Sequence, residues 1–251
     1  MNKKEKKRKF AVKYLVVKFA LLALMSVPAV AQSRWSVKPT VGGVVSAYVG
    51  KDTEGLEQRL GWTAGAEVGY RLNQPLGLLL GIAYTQQGCT LDKTNRVRWN
   101  GVASVYEADE DFHLSTSYVS VPLLAEVRVA KGLALKAGLE ASILLRAKET
   151  YNVMVGKIPL IDPDVDLYRT EYLPEEWTAD WKPQMNGVDL AIPVGLAYEY
   201  AGVVVEARYH MGLSHPLGGF DEQHGHFWYA KVPLKARTSM LTLTVGYKFE
   251  L

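Results

Sequence analysis

Polar and apolar residues alternate along most of this chain with a period of two. In GVVVEARYHMGLS the odd positions from Val203 are Val, Val, Ala, Tyr, Met and Leu. The even ones are Val204, Glu206, Arg208, His210, Gly212 and Ser214. In LALKAGLEASILLRAK every odd position from Leu133 is Leu, Ala or Ile, and the even ones include Lys136, Glu140, Ser142, Arg146 and Lys148. YVSVPLLAEVRV sets Val119, Val121, Leu123, Ala125, Val127 and Val129 against Ser120, Glu126 and Arg128. The final stretch sets Leu241, Leu243, Val245, Tyr247, Phe249 and Leu251 against Thr242, Thr244, Gly246, Lys248 and Glu250. Stretches opening near Trp35, Leu60, Leu76 and Leu190 alternate too, with more noise. Period two is the mark of a strand with two unlike faces, and no stripe of period 3.6 competes with it. The pattern predicts eight long strands and an all-β fold.

The connections divide these strands unevenly. Tight ones fall near Asn73-Gln74-Pro75, Ala130-Lys131-Gly132 and Tyr200-Ala201-Gly202. Long ones are expected at 50–59, 90–112, 150–185 and 214–236. Long and short alternate along the chain. Outer-membrane barrels show this arrangement, with short periplasmic turns and longer extracellular loops.

Alternation does not say which face points inward. A soluble barrel buries the greasy face, whereas a membrane barrel shows it to lipid. Three features favour the second. The polar face carries Gly42, Gly61, Gly65, Gly69, Gly77, Gly81, Gly138, Gly195, Gly212 and Gly246. Glycine weakens an exposed strand but makes room inside a narrow eight-stranded barrel. The greasy face carries Trp35, Trp62, Tyr70, Tyr84, Tyr198, Tyr200, Tyr209, Tyr247 and Phe249 near its ends, as interfacial girdles do. The first 31 residues read as a secretory signal: a basic start, the apolar run FALLALMSVPAV, and the small-x-small site Ala29-Val30-Ala31 before Gln32. The expected organisation is a signal peptide over 1–31, cleaved near Ala31/Gln32, and a barrel domain over 32–251. The architecture expected is an eight-stranded, antiparallel, up-and-down transmembrane β-barrel.

GLLLGIAYTQQG, YVSVPLLAEVRV, GLALKAGLEASILL, GLAYEYAGVVVEARYHMGLS and LTLTVGYKFEL, in this order and spacing, resemble the PorT-type outer-membrane β-barrel family over nearly all of the mature chain. The resemblance implies an eight-stranded barrel in a Gram-negative outer membrane, a link to protein secretion in some relatives, and no catalytic residues. Thr244, Gly246, Phe249 and Leu251 also resemble the C-terminal signal read by the barrel assembly machinery, with leucine where an aromatic residue is usual.

Composition changes little. The net charge of +3 comes largely from the first eighteen residues, so no basic patch points to nucleic acid. Cys89 is the single cysteine, which excludes an intrachain disulfide. The predicted lumen holds Lys38, Arg71, Arg128, Lys136, Arg146, Lys148, Arg208 and Lys248 against Glu67, Glu126, Glu140, Glu199, Glu206 and Glu250, a near balance expected to form a paired, filled interior. His210, beside Arg208 and Glu206 and below Ser214, is the candidate for catalysis at a barrel rim, weighed against a structural histidine. His224 and His226 with Asp221 and Glu222, and the alternating Asp162, Asp164 and Asp166, are metal-ligand types without a completing pattern. The expectation is therefore no enzyme, no cofactor and no metal. The partners expected are outer-membrane lipid, the assembly machinery during insertion, and proteins or ligands met by the long loops. A lipid-modifying enzyme, a narrow channel and a soluble periplasmic barrel are the alternatives.

Overall fold

The computed structural model describes residues 34–51, 53, 55–98, 105–155, 158–159, 177–180, 185–218, 226–227, 230–231 and 235–251. The expected signal peptide lies outside them. Eight long strands follow one another: β1 (Trp35–Val49), β2 (Leu56–Arg71), β3 (Leu76–Arg98), β4 (Val105–Ala130), β5 (Leu133–Val155), β6 (Val188–Tyr200), β7 (Val203–Gly212) and β8 (Arg237–Tyr247, resuming at Phe249–Glu250). Each pairs antiparallel with the next, and β8 pairs with β1, so the sheet closes on itself. The closing seam runs from Val49↔Arg237 down to Ser36↔Glu250. Beyond it, Leu251 N donates to Trp35 O at 3.1 Å. Closure leaves no edge along this wall, and hydrocarbon tolerates no edge, because each unpaired backbone group there costs several kcal/mol. Among the described residues no helix is long and apolar enough to cross a membrane.

The two faces separate as the alternation predicts, with the greasy one outward. Leu139, Leu243 and Ile82 are 62%, 60% and 58% exposed, whereas Lys136 and Glu206, on inward positions of β5 and β7, are 4% and 2% exposed. Aromatic residues gather at two levels of the outer wall. Trp35 packs against Tyr70 and Tyr247 against Phe249 near the tight turns, each pair tilted with ring centres 4.8 Å apart. Trp62 meets Tyr84 at 5.0 Å nearer the other end. Trp35 and Gly43, which stands opposite Trp62, are eight residues apart on β1. Eight residues span about 27 Å of strand and, at a tilt of ~40°, about 20 Å of height. That is close to the ~25 Å apolar band of a membrane barrel.

Three details differ from the sequence reading. The expected long connections at 90–112 and 150–185 are partly strand. β3 and β4 stay paired up to Arg98↔Val105, and β5 follows β4 to Ala108↔Val155. The segment Trp177–Asp180 adds to β5, and Ile158–Pro159 folds back on it. β2 leaves β3 at Leu56↔Leu91, so β3, β4 and β5 project past their neighbours. Similarly, β2 begins at Leu56, which shortens the first connection to 50–55. Finally, the inward glycines serve two purposes. A Cβ at Gly81 would press on Pro122 and Glu67 side chains, which is the room-making role. At Gly42 and Gly138 it would strike the main-chain carbonyls of Leu243 and Leu123, so glycine there lets neighbouring backbones approach.

Candidate functional site

The inward side chains form three layers, whose order follows from β7. Reading up that strand from its tight turn, Val204, Glu206, Arg208 and His210 each point into the lumen.

The central layer is an ion-pair cluster. β1 contributes Lys38, β2 Glu67, β5 Lys136, and β7 Glu206 and Arg208. Lys38 Nζ lies 2.7 Å from Glu67 Oε2 and 2.8 Å from Glu206 Oε2. Lys136 Nζ lies 2.6 Å from the same Glu206 oxygen and 3.6 Å from Glu67 Oε2. Arg208 Nη2 donates to Glu67 Oε1 at 2.5 Å and to Glu206 Oε1, and its Nε donates to Glu206 Oε1 at 2.8 Å. Glu126, 3.7 Å from Lys136, brings the carboxylates to three against three cations. Buried charges persist only when paired and hydrogen-bonded, and here each is held from several strands.

Above it the lining is hydroxyls with two further carboxylates. His210 Nδ1 lies 3.1 Å from Glu140 Oε1, and Nε2 lies 3.4 Å from Thr242 Oγ1. Thr63 pairs with Thr85 across the β2–β3 ladder, and Ser120 with Ser142 across β4–β5. Thr238 Oγ1 donates to Asp189 Oδ2 at 2.8 Å, and Ser214 Oγ donates to Asp189 Oδ1. A void of about 40 Å³ separates Glu140 and His210 from the ion pairs. Towards the projecting end the interior turns apolar: Val44, Tyr48, Leu114, Tyr118, Leu144 and Met240 are all buried. Below the ion pairs, on the tight-turn side, the lumen opens as a vestibule of about 240 Å³. Its rim carries the more exposed pairs Arg71–Glu250 at 2.6 Å, Lys248–Glu199 at 2.9 Å and Arg128–Glu126 at 3.6 Å.

Most of the lumenal charges expected from the sequence therefore meet. Arg146 does not: it is exposed, and Lys148 is half-buried. The β4–β5 register slips between Ser117↔Arg146 and Tyr118↔Leu144, a bulge that reverses parity, so Ala147 becomes the buried residue. Ser214 and His210 share a face but not a partner, since Ser214 serves Asp189 and the main-chain N–H of Leu190. Cys89 is buried, consistent with a packing role. His224, Asp221, Glu222 and the Asp162–Asp164–Asp166 run lie outside the described residues, as does the side chain of His226. Among the described residues no group of three or more His, Cys, Asp or Glu could hold a metal ion. Sequence reasoning missed Asp189, Tyr48, Tyr118 and the hydroxyl pairs. Asp189 was within reach, for it keeps the inward parity of Ala191, Pro193 and Gly195 one position before Leu190, where the alternating stretch opens.

A family model described as the outer membrane protein beta-barrel domain matches residues 30–217. No curated protein matches in sequence. Among solved structures, the chain is similar to Ail, the attachment invasion locus protein of Yersinia pestis, at 15% identity over 86% of this chain and 100% of that one, with a TM-score of 0.42. It is similar to Neisserial surface protein A at 14% identity over 86% and 98%, with a TM-score of 0.38. It is also similar to CarO of Acinetobacter baumannii at 13% identity over 83% and 97%, with a TM-score of 0.36.

Proposed function

The chain belongs to the outer membrane protein beta-barrel domain family and resides in a Gram-negative outer membrane; from that premise we propose that it is a closed-lumen anchor whose projecting strands meet partner proteins or ligands outside the cell. One observation carries the reading: β3, β4 and β5 outrun the other strands, while the lumen beneath them is filled by paired charges and an apolar cap. Asp92–Arg98 of β3 continues beyond its last pairing with β2, an extension of about 23 Å for seven residues at ~3.3 Å each. Energy spent on structure outside the membrane supports a role there, where specificity-carrying segments sit. Export depends in this reading on residues 1–31 with cleavage between Ala31 and Gln32. Insertion depends on the assembly machinery reading the strand that ends at Leu251. The PorT-type resemblance supports a partner in protein secretion.

The test is a photo-crosslinking residue at Asn95 in living cells, compared with a variant whose residues 91–112 are replaced by a tight turn. Discrete adducts with envelope or surface proteins at Asn95, in a barrel that still shifts on an unheated gel, are the expected result. An Asn95 probe that captures only lipid would overturn the proposal. In planar bilayers the purified barrel is expected to carry no steady current.

A further inference from the structure

The vestibule at the tight-turn end is not accounted for by an anchoring role. It is concave, reaches down to the ion-pair cluster, and has apolar walls at Leu79, Ala134, Ala197 and Val204 between that charged floor and a charged mouth. Six of its charged lining residues are basic and three acidic. Counting Glu206, Glu250 and Arg208, which pair with them, still leaves cations ahead by two.

The surplus lies towards the mouth, where Arg34, Arg71, Arg128 and Lys248 face Glu199 and Glu250, and two of these guanidinium groups have donors to spare. Arg71 meets Glu250 through Nη2 alone, and its Nε is buried without a hydrogen-bond partner. Arg128 reaches Glu126 only at 3.6 Å, beyond hydrogen-bond distance. Each guanidinium offers five N–H donors in a planar fork that fits a carboxylate with two parallel bonds.

The space between them is held open by a glycine that the wall does not need. Gly77 stands opposite Arg71 on one side and Glu126 on the other, with Arg128 two residues beyond Glu126 on β4, so the glycine sits on the strand between those that carry the two arginines. A Cβ at Gly77 would come no closer than 3.4 Å to any neighbour, an ordinary contact. At Gly69 in the same vestibule a Cβ would lie 2.6 Å from Ser36 Oγ, so packing explains that glycine. Gly77 keeps room without being forced to.

We propose that this vestibule binds a small dicarboxylic acid from the periplasm, one carboxylate on Arg71, the other on Arg128, with its carbon chain over Gly77. Two strand spacings and a two-residue offset separate the arginines, about 12 Å of backbone, and both side chains line the vestibule between them. A short dicarboxylate spans the remainder, whereas a monocarboxylate engages one fork only.

The test is titration calorimetry on the folded full-length barrel in detergent micelles with glutarate, using acetate as control. Folding of each variant is checked by the unheated-gel shift. Glutarate is expected to bind at micromolar to millimolar concentration and to outcompete acetate. Arg128→Gln is expected to weaken it by about tenfold or more, as loss of a charge-assisted bidentate contact does. Gly77→Leu is expected to block it by occupying the gap. Should that variant misfold, Arg71→Gln takes its place with the same expectation as Arg128→Gln. Absence of glutarate binding, equal binding of acetate, or binding indifferent to these substitutions would overturn the proposal.

Discussion

Glu206 is the residue on which the lumenal cluster turns. Its carboxylate is 2% exposed and accepts from Lys38, Lys136 and Arg208, the last through two nitrogens. Glu206→Gln keeps the shape and removes the charge. Three buried cations then share Glu67 and the more distant Glu126. Removing one partner from a buried ion pair costs about 3–5 kcal/mol, because the surviving charge stays desolvated. The same substitution at the rim, Glu250→Gln, touches a pair whose members are 35% and 54% exposed, and is expected to cost under about 1 kcal/mol. The assay is urea unfolding in phospholipid vesicles, following the folded fraction by gel mobility. Lys136→Met combined with Glu206→Gln removes one cation along with the anion and should recover more than half of the loss, a coupling that a double-mutant cycle reads directly. A Glu206→Gln barrel within about 1 kcal/mol of the native one would refute the reasoning. It would mean that water reaches these charges and the cluster does not seal the lumen.

Three further outcomes are expected. Leu139→Arg, at a lipid-facing position midway along the membrane part of β5, should lose about 2–4 kcal/mol in the same vesicle assay. Gly88→Ala should lose about 1–3 kcal/mol, because Gly88 has φ +152° and a Cβ there would meet the carbonyl of Leu114; urea midpoints would measure it. Deleting residues 249–251 removes the Val37↔Phe249 and Ser36↔Glu250 rungs and the Leu251–Trp35 bond, so the heat-modifiable band should weaken markedly on unheated gels of outer-membrane material.

Where one face of a strand touches hydrocarbon and the other a polar lumen, the sequence carries the structure almost rung by rung. β7 is the clearest case: VVVEARYHMG alternates exposed and buried without interruption. Legibility fails where that contrast ends. Above the membrane the stretch DKTNRVR of β3 faces EADED of β4, with Lys93 opposite Glu110 and Arg96 opposite Glu107. Charged residues fall at odd and even positions alike in both stretches, and period two disappears although the ladder continues. The exposure of Arg146 was illegible for another reason. A bulge changes parity without leaving a mark in composition, and only the register across Ser117 and Tyr118 reveals it. The ion-pair cluster was legible as a list of inward charges, but which five would converge depends on strand stagger, which alternation does not encode.

The seam between β1 and β8 also sets the order of events during assembly. Val37 pairs with Phe249, 212 positions along the chain. No local segment can complete that contact, and contacts this remote in sequence make folding slow. Until the last strand arrives, β1 holds a bare row of N–H and C=O groups, the kind of edge that recruits other strands. The inserting barrel therefore stays open to strand recruitment until β8 closes on β1. A factor that shelters β1 in that interval would govern yield, whatever the stability of the closed barrel.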